Sequence, residues 1–276
     1  MRMKSRRAYN GKIRLAVFDW AGTTVDFGCQ APVAAFIAGF KAKGLDISPQ
    51  TARGPMGMEK RDHIKAITAV PEVARAWRKI HGRPVTDSDI DEMYGEFVPH
   101  LLATLESNSG LIPGVARAAE ALTEKAISIG STTGYFKEAA DIVAASAAKA
   151  GFTPMVSVSS SDVTHGRPYP WMIFKVMEAC NICPPEAVVN IGDTEVDMMA
   201  GRNGGVWTVG VAATGNELGL TQAELEALDH DTRHLKITAV HEKLYAAGAH
   251  WVIDTMDELP AVIDEINNHL AEGHKP

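Results

Sequence analysis

The sequence predicts an α/β fold, a doubly wound and mostly parallel sheet, with an all-helical second domain inserted into it. Three observations predict this. Six short apolar runs, at residues 13–18, 126–130, 155–158, 187–191, 206–211 and 251–253, read as buried parallel strands. Helical patterns alternate with the later runs, as βα units require. Between the first run and Gly114 there is no strand pattern, and a block of about 80 residues is too long for one βαβ crossover.

Taken in order, the first strand (residues 13–18) ends at Asp19. In residues 32–44, Val33, Phe36, Ile37 and Phe40 recur at helical spacing. Further helical stretches cover 58–69, 72–81 and 88–107, with Gly54-Pro55, Pro71, Gly82 and Pro84 marking the loops between them. These helices define the inserted domain at 27–106, leaving 1–26 and 107–276 for the sheet domain. Helix 114–125 precedes the second strand and 137–150 follows it. Helix 170–180 precedes the fourth strand, 196–203 follows it, and 256–270 closes the chain. Residues 214–241 are helical in pattern and show no recognisable chemistry. In such a sheet, ligands sit beyond the carboxyl ends of the strands.

Composition narrows the class. A chain of 276 residues, 46% hydrophobic and 22% charged, buries a core without disulfides or structural metals. A net charge of −7 without a dense basic patch argues against nucleic acid as a partner. No run of about 18 apolar residues is present to span a membrane, and the basic start MRMKSRRAYNGK lacks the apolar stretch of a signal peptide. The expected setting is the cytoplasm, with Cys29, Cys180 and Cys183 as reduced thiols. Cys180 and Cys183 lack the second pair or spaced histidines of a zinc site.

The chemistry collects at four strand ends. The first ends in Asp19-Trp20-Ala21-Gly22-Thr23-Thr24, the second in Ser131-Thr132-Thr133-Gly134. Gly166-Arg167-Pro168 follows the third, and Gly192-Asp193-Thr194-Glu195-Val196-Asp197 ends the fourth. Each segment alone has an ordinary reading: a turn aspartate, capping hydroxyls, a surface arginine, helix-capping acids. In sequence they offer more. Hydroxyls and free N–H groups suit a phosphate, a guanidinium pairs two phosphoryl oxygens, and two hard acids beside them suit Mg²⁺.

Together these four segments resemble the motifs of the haloacid dehalogenase superfamily across essentially the whole chain, with the helical block in the position of its cap domain. The resemblance implies that Asp19 is the nucleophile and forms an aspartyl phosphate. It implies that Thr133, Gly134 and Arg167 hold the phosphoryl group. It places Mg²⁺ on Asp19, the carbonyl of Ala21, Asp193 and Asp197. Phosphatases of the superfamily usually read DxDGT, where the second acid protonates the leaving alkoxide. Ala21 stands in that place and cannot.

The segments DWAGTTVDFG, PMGMEKRDH, IGSTTGY, GRPYPWM and GDTEVDM narrow the resemblance to the phosphonoacetaldehyde hydrolase family, which cleaves a carbon–phosphorus bond to release acetaldehyde and phosphate in phosphonate degradation. The resemblance implies that Lys60 forms a Schiff base with the aldehyde. It implies that His63 assists proton transfer there and that Met56, Gly57 and Tyr135 line the pocket. Lys60 and His63 at i, i+3 share a helix face. A small organophosphonate is then the substrate, and a homodimer through the cap is the expected assembly. The apolar faces of 32–44 and 72–81 suit that contact, or equally the cap's own core. Glu59 and Arg61 flank Lys60 with opposite charges, and the sequence leaves open which of them faces it. Linkers near Phe27-Gly28 and 107–112 are the expected hinges.

Other readings predict different chemistry. Another Mg²⁺-dependent phosphatase or phosphomutase of the superfamily conflicts with Ala21. A dehalogenase attacking carbon without metal conflicts with Asp193 and Asp197. A non-catalytic binding protein on the same scaffold conflicts with Asp19, Lys60, Arg167 and Asp193 occurring together.

Overall fold

The computed structural model describes residues 9–276, and residues 1–8, which hold most of the basic start, lie outside them. The chain begins with β1 (Leu15–Phe18) and continues through five helices: α1 (Gln30–Ala42), α2 (Pro49–Arg53), α3 (Lys60–Ala69), α4 (Pro71–His81) and α5 (Asp87–Asn108). Then follow α6 (Val115–Glu124), β2 (Ser128–Thr133), α7 (Lys137–Lys149), β3 (Val156–Ser159), α8 (Trp171–Ala179), β4 (Val188–Gly192), α9 (Glu195–Gly204) and β5 (Trp207–Val211). The chain finishes with α10 (Gln222–Glu226), α11 (His230–Ala246), β6 (Trp251–Ile253) and α12 (Leu259–Ala271).

The six strands form one sheet in the order β3-β2-β1-β4-β5-β6, and every pairing is parallel. β1 is central and buried at all four positions, and its alternation shows how the two faces are covered. Leu15 and Val17 pack with Met172, Ile173 and Val176 of α8, whereas Ala16 and Phe18 join Val115, Ala118 and Leu122 of α6. The sheet is therefore doubly wound, as the strand–helix alternation predicts. The strand order reverses between β1 and β4, and a crevice opens there beyond the carboxyl ends.

The inserted block is wholly helical among the described residues. Phe36 and Phe40 of α1, Ile64 and Ile67 of α3, Trp77 of α4, and Met93, Phe97 and Leu101 of α5 form its core, each at most 1% exposed. The rings of Phe36 and Phe97 stack at 4.4 Å. The apolar face of α1, and Val73 and Trp77 of α4, are thus spent inside one chain, while Ile80 of α4 stays exposed. α4 starts on Pro71 and stops at Gly82, whose φ of 71° closes the helix in the left-handed conformation. α5 starts on a capping box between Thr86 and Asp89.

Several expected boundaries shift for local reasons. The helix expected from 58 begins at Lys60, because the Glu59 carboxylate caps it by accepting from the N–H groups of Arg61 and Asp62. α2 is absent from the apolar pattern; the Ser48 cap and Pro49 nucleate it instead. α5 runs to Asn108, so helix occupies 107–108 where linker was expected. The second strand lies at Ser128–Thr133 rather than 126–130, its polar residues paired to β1 and β3. The single pattern at 214–241 resolves into a loop followed by α10 and α11. Cys180 closes α8, and all three cysteines are free.

Candidate active site

The reversal of strand order places two acids side by side. Asp19 follows β1 and its N–H donates to the carbonyl of Ile191 (2.9 Å) in β4, the strand that delivers Asp193. Asp197 arrives from the first turn of α9, where it forms a capping box with Thr194. The helix-capping reading of that acid is therefore also true. Asp19, Asp193 and Asp197 each offer an oxygen within 4.8 Å of the others, and none of the three is more than 6% exposed.

Burial and neighbouring charge raise the pKa of two of these acids, Asp19 and Asp193. Burial pushes Asp19 up to about 6, with Arg167 opposing and Asp197 adding to the rise. Burial, Asp19 and Asp197 push Asp193 well above the usual carboxylate range. This happens although the Thr23 hydroxyl (2.7 Å) and the Asn216 N–H (2.7 Å) both donate to Asp193. Asp197 Oδ1 accepts no aligned hydrogen bond. A compact set of hard, charged oxygens with an unspent lone pair fits a divalent cation such as Mg²⁺. Gly22 belongs to the same packing. With φ of 89°, it lies where a Cβ would collide with the Asp193 carboxylate, so the close approach of the two loops requires glycine.

Arg167 is 5% exposed and faces the acids. Its Nη1 lies 2.7 Å from Asp19 Oδ1 and its Nε 3.0 Å from Asp197 Oδ1. Its Nη2 donates to the Thr132 carbonyl (3.1 Å) and hydroxyl (2.7 Å). One edge of the guanidinium is thus anchored, and the other faces the charge. The Thr133 hydroxyl oxygen accepts from the Tyr135 N–H (3.1 Å), which leaves its proton free to donate.

The helical block contributes from above. Met56, Gly57 and Lys60 line the same cavity as Asp19, Ala21, Thr133, Gly134, Tyr135 and Arg167. Lys60, the first residue of α3, is 4% exposed. Its Nζ lies 5.0 Å from the centre of the Tyr135 ring and 5.8 Å from that of Phe36. Burial lowers its pKa, while Cys29 and Asp19 pull the other way. Neither sequence neighbour pairs with it. Glu59 is turned into the helix cap, and Arg61 reaches out to Asp91 (2.6 Å). Among the described residues no carboxylate pairs with Nζ. An amine in this setting loses its proton more readily than a free lysine and is a better nucleophile toward a carbonyl.

His63 is fully buried, its ring 3.9 Å from that of Phe36. Its Nε2 faces the Ala52 carbonyl at 2.8 Å. A carbonyl only accepts, so Nε2 carries the proton and Nδ1 holds a lone pair with no hydrogen-bond partner. Burial and Lys60 hold this imidazole well below its usual pKa, hence neutral. The hydroxyl of Tyr135 is also buried without a partner.

These geometries admit comparison with known proteins. The family model described as haloacid dehalogenase-like hydrolase matches residues 13–205. A phosphonoacetaldehyde hydrolase of Syntrophobacter fumaroxidans is 41% identical over 270 residues, 98% of each chain. The chain belongs to the phosphonoacetaldehyde hydrolase family. One from Bacillus cereus is 44% identical, covering 92% of this chain and 97% of that protein. A bifunctional phosphonoacetaldehyde hydrolase/aminoethylphosphonate transaminase of Clostridioides difficile is 43% identical over 97% of this chain but only 42% of its own length. The crystal structure of a phosphonoacetaldehyde hydrolase-like protein from Oleispira antarctica superposes with a TM-score of 0.97 at 35% identity, over the whole of both chains.

In this member of the phosphonoacetaldehyde hydrolase family, every residue given a catalytic, binding or metal role in the sequence, except His63, borders the cavity or supplies an acid to the cluster beneath it. His63 lies one turn behind Lys60. Sequence reasoning missed Thr23 and Asn216, which hold Asp193, and Thr132 and Thr194, which hold Arg167 and Asp197. Thr23, Thr132 and Thr194 sit inside the quoted motifs, so their hydroxyls were a signal. Asn216 lies in the loop after β5 and had none. The cavity has room for about one water, ≈ 20 Å³, so the helical block packs tightly over the strand ends. Gly57, with φ of 87°, meets Thr194 and Val196 of the core so closely that a Cβ would clash with both. A larger open depression of ≈ 560 Å³ on the cap, bordered by Lys65, Arg78 and Thr86, contains none of these residues.

Proposed function

We propose that the chain hydrolyses the carbon–phosphorus bond of phosphonoacetaldehyde to acetaldehyde and phosphate through an imine on Lys60 and an aspartyl phosphate on Asp19. The observation that carries this reading is a buried amine of lowered pKa, without a carboxylate partner, over the same cavity as Asp19. The neutral Lys60 amine attacks the aldehyde carbon, water leaves, and a protonated imine forms two bonds from phosphorus. Asp19 attacks phosphorus. The C–P bonding pair moves into the imine to give an enamine, so no acid is needed at Ala21. Water then hydrolyses the acyl phosphate and releases inorganic phosphate. The enamine is protonated on carbon, a second water hydrolyses the imine, and acetaldehyde leaves with Lys60 restored. One water is released and two are consumed, which balances the net hydrolysis.

Each neighbour has a part in this reading. Arg167 and the Thr133 hydroxyl hold phosphoryl oxygens, with Gly134 letting the cap approach. His63 moves protons at the imine through its free Nδ1. Met56, Gly57 and Tyr135 exclude water from it. Asp19, Asp193, Asp197 and the Ala21 carbonyl would hold Mg²⁺, whose charge would offset the repulsion between carboxylate and phosphoryl group. Residues 27–106 would move as a cap against 1–26 and 107–276, since a closed cavity of this size admits no substrate.

The test follows both products. Phosphate and acetaldehyde should appear in equal amounts with Mg²⁺, fall to background in excess chelator, and return when Mg²⁺ is restored. Phosphate without acetaldehyde would remove the C–P reading, and full turnover in chelator would remove the metal assignment. We also propose that the chain is a homodimer through the cap. Because α1 buries its apolar face and α4 buries Val73 and Trp77, the contact would use the outer cap surface, where Ile80 at the end of α4 is 50% exposed. Light scattering should give twice the chain mass of 29.6 kDa; a monomer mass contradicts this.

A further inference from the structure

The loop after β5, in which the sequence shows no chemistry, meets the cap at two side chains: Gln30, whose Nε2 donates to the Gly219 carbonyl (3.2 Å), and Arg53, which makes most of the contact. Arg53, the last residue of α2, spreads its guanidinium across three segments. Nη1 donates to the Gly28 carbonyl (2.7 Å) and to Asn216 Oδ1 (3.2 Å), and Nη2 donates to the Gly219 carbonyl (3.1 Å) and Gln30 Oε1 (3.3 Å). Asn216 answers by donating Nδ2 to the Arg53 carbonyl (3.3 Å). Asn216 is 2% exposed, and its backbone N–H is the donor that holds Asp193. The Gly28 N–H donates to the Thr214 carbonyl (2.7 Å), tying the cap linker to the same loop.

We propose that Arg53 is a positioning residue, a clasp that holds the closed cap on the loop 214–219 and so sets Lys60 over Asp19. Three features argue for it. First, the clasp joins the three segments that must agree in the closed state: the linker at Gly28, the cap at α2, and the core loop that anchors Asp193. Second, its neighbours on both sides in the chain serve the site. The Ala52 carbonyl orients His63, and the chain runs from Arg53 through Met56 and Gly57 directly to Lys60. Third, every acceptor is neutral. A guanidinium released from carbonyl and amide oxygens is rehydrated without stranding a buried counter-charge, so the contact can break and re-form in each turnover. A carboxylate partner would make opening far costlier.

This inference rests on the proposed division of the site between cap and core. The test uses the full-length Mg²⁺ enzyme and the variants Arg53→Met, Arg53→Lys, Asn216→Ala and the double variant Arg53→Met/Asn216→Ala. Hydrogen–deuterium exchange of residues 54–60 reads the clasp without substrate; turnover of phosphonoacetaldehyde reads its consequence. Arg53→Met should raise exchange in 54–60 and lower kcat about 10- to 100-fold, with a melting temperature close to wild type. Arg53→Lys should recover part of both, and the double variant should be little worse than Arg53→Met, because both changes break one contact. Unchanged exchange at 54–60 in Arg53→Met overturns the clasp, as do fully multiplicative losses in the double variant. Should the wild type fail to turn over phosphonoacetaldehyde, the functional reading falls, while the exchange comparison still decides the clasp.

Discussion

Asp19→Asn should abolish phosphate release and, in the metal-free protein, raise the melting temperature. The two effects have one cause. Asp19 is held, buried, beside Asp193 and Asp197, and its pKa in the folded chain is about 6 against an ordinary value of 3.8. A carboxyl whose folded pKa lies above its unfolded value stabilises the fold when protonated and costs stability once ionised, so the cost is present in full above about pH 6. The amide removes the charge. The rise to about 6 is already net of the Arg167 contact at 2.7 Å, so the gain at pH 7 is on the order of 1–3 kcal/mol. That corresponds to a rise of roughly 2–4 °C for each kcal/mol. An active site that stores repulsion loses function when it is relaxed. Catalytic loss should exceed about 10⁴-fold, because an amide is no nucleophile toward phosphorus. Thermal melts in chelator, beside phosphate assays in Mg²⁺, check both arms. Retained turnover would exclude the aspartyl phosphate, and a marked fall in melting temperature would exclude the stored repulsion.

Lys60→Met should be equally inactive, by at least about 10⁴-fold in kcat, and should fold as well as the wild type. Methionine fills a similar volume without the amine. It relieves the burial of an ammonium that has no carboxylate partner. Without the imine there is no electron sink, and cleavage would have to expel a carbanion. Ala21 offers no acid to help, so no alternative route opens within the site. The variant should still bind inorganic phosphate in the presence of Mg²⁺, because Arg167, Thr133 and the acids belong to the core. Circular dichroism and phosphate-binding calorimetry separate this outcome from simple misfolding. Measurable release of acetaldehyde by Lys60→Met would refute the role given to that residue.

Much of the fold was legible because parallel strands buried on both faces read as apolar runs. The four strand ends also carry their chemistry in short contiguous motifs. The helical insertion was legible as a length that no crossover explains. What escaped has physical reasons. α2 is held by a serine cap and a proline rather than by a hydrophobic stripe. β2 carries Ser128, Ser131, Thr132 and Thr133, whose polar side chains hide a strand that the ladder with β1 and β3 enforces. Whether Glu59 or Arg61 tunes Lys60 was open in the sequence. Capping turned Glu59 into the helix and an ion pair drew Arg61 outward, so burial is the main influence. Asn216 and Arg53 lie 163 positions apart. Only the closing of β5 onto the sheet and of α2 onto the core brings them together, and nothing local marks either residue.

The central claim is that carbon leaves phosphorus as an enamine on Lys60. The most direct measurement is borohydride reduction of the Mg²⁺ enzyme in the presence of phosphonoacetaldehyde, followed by peptide mapping. The account predicts irreversible inactivation with one two-carbon adduct, located on Lys60 and absent when either reagent is omitted. An enzyme that keeps its activity under these conditions, or an adduct on any other lysine, contradicts it.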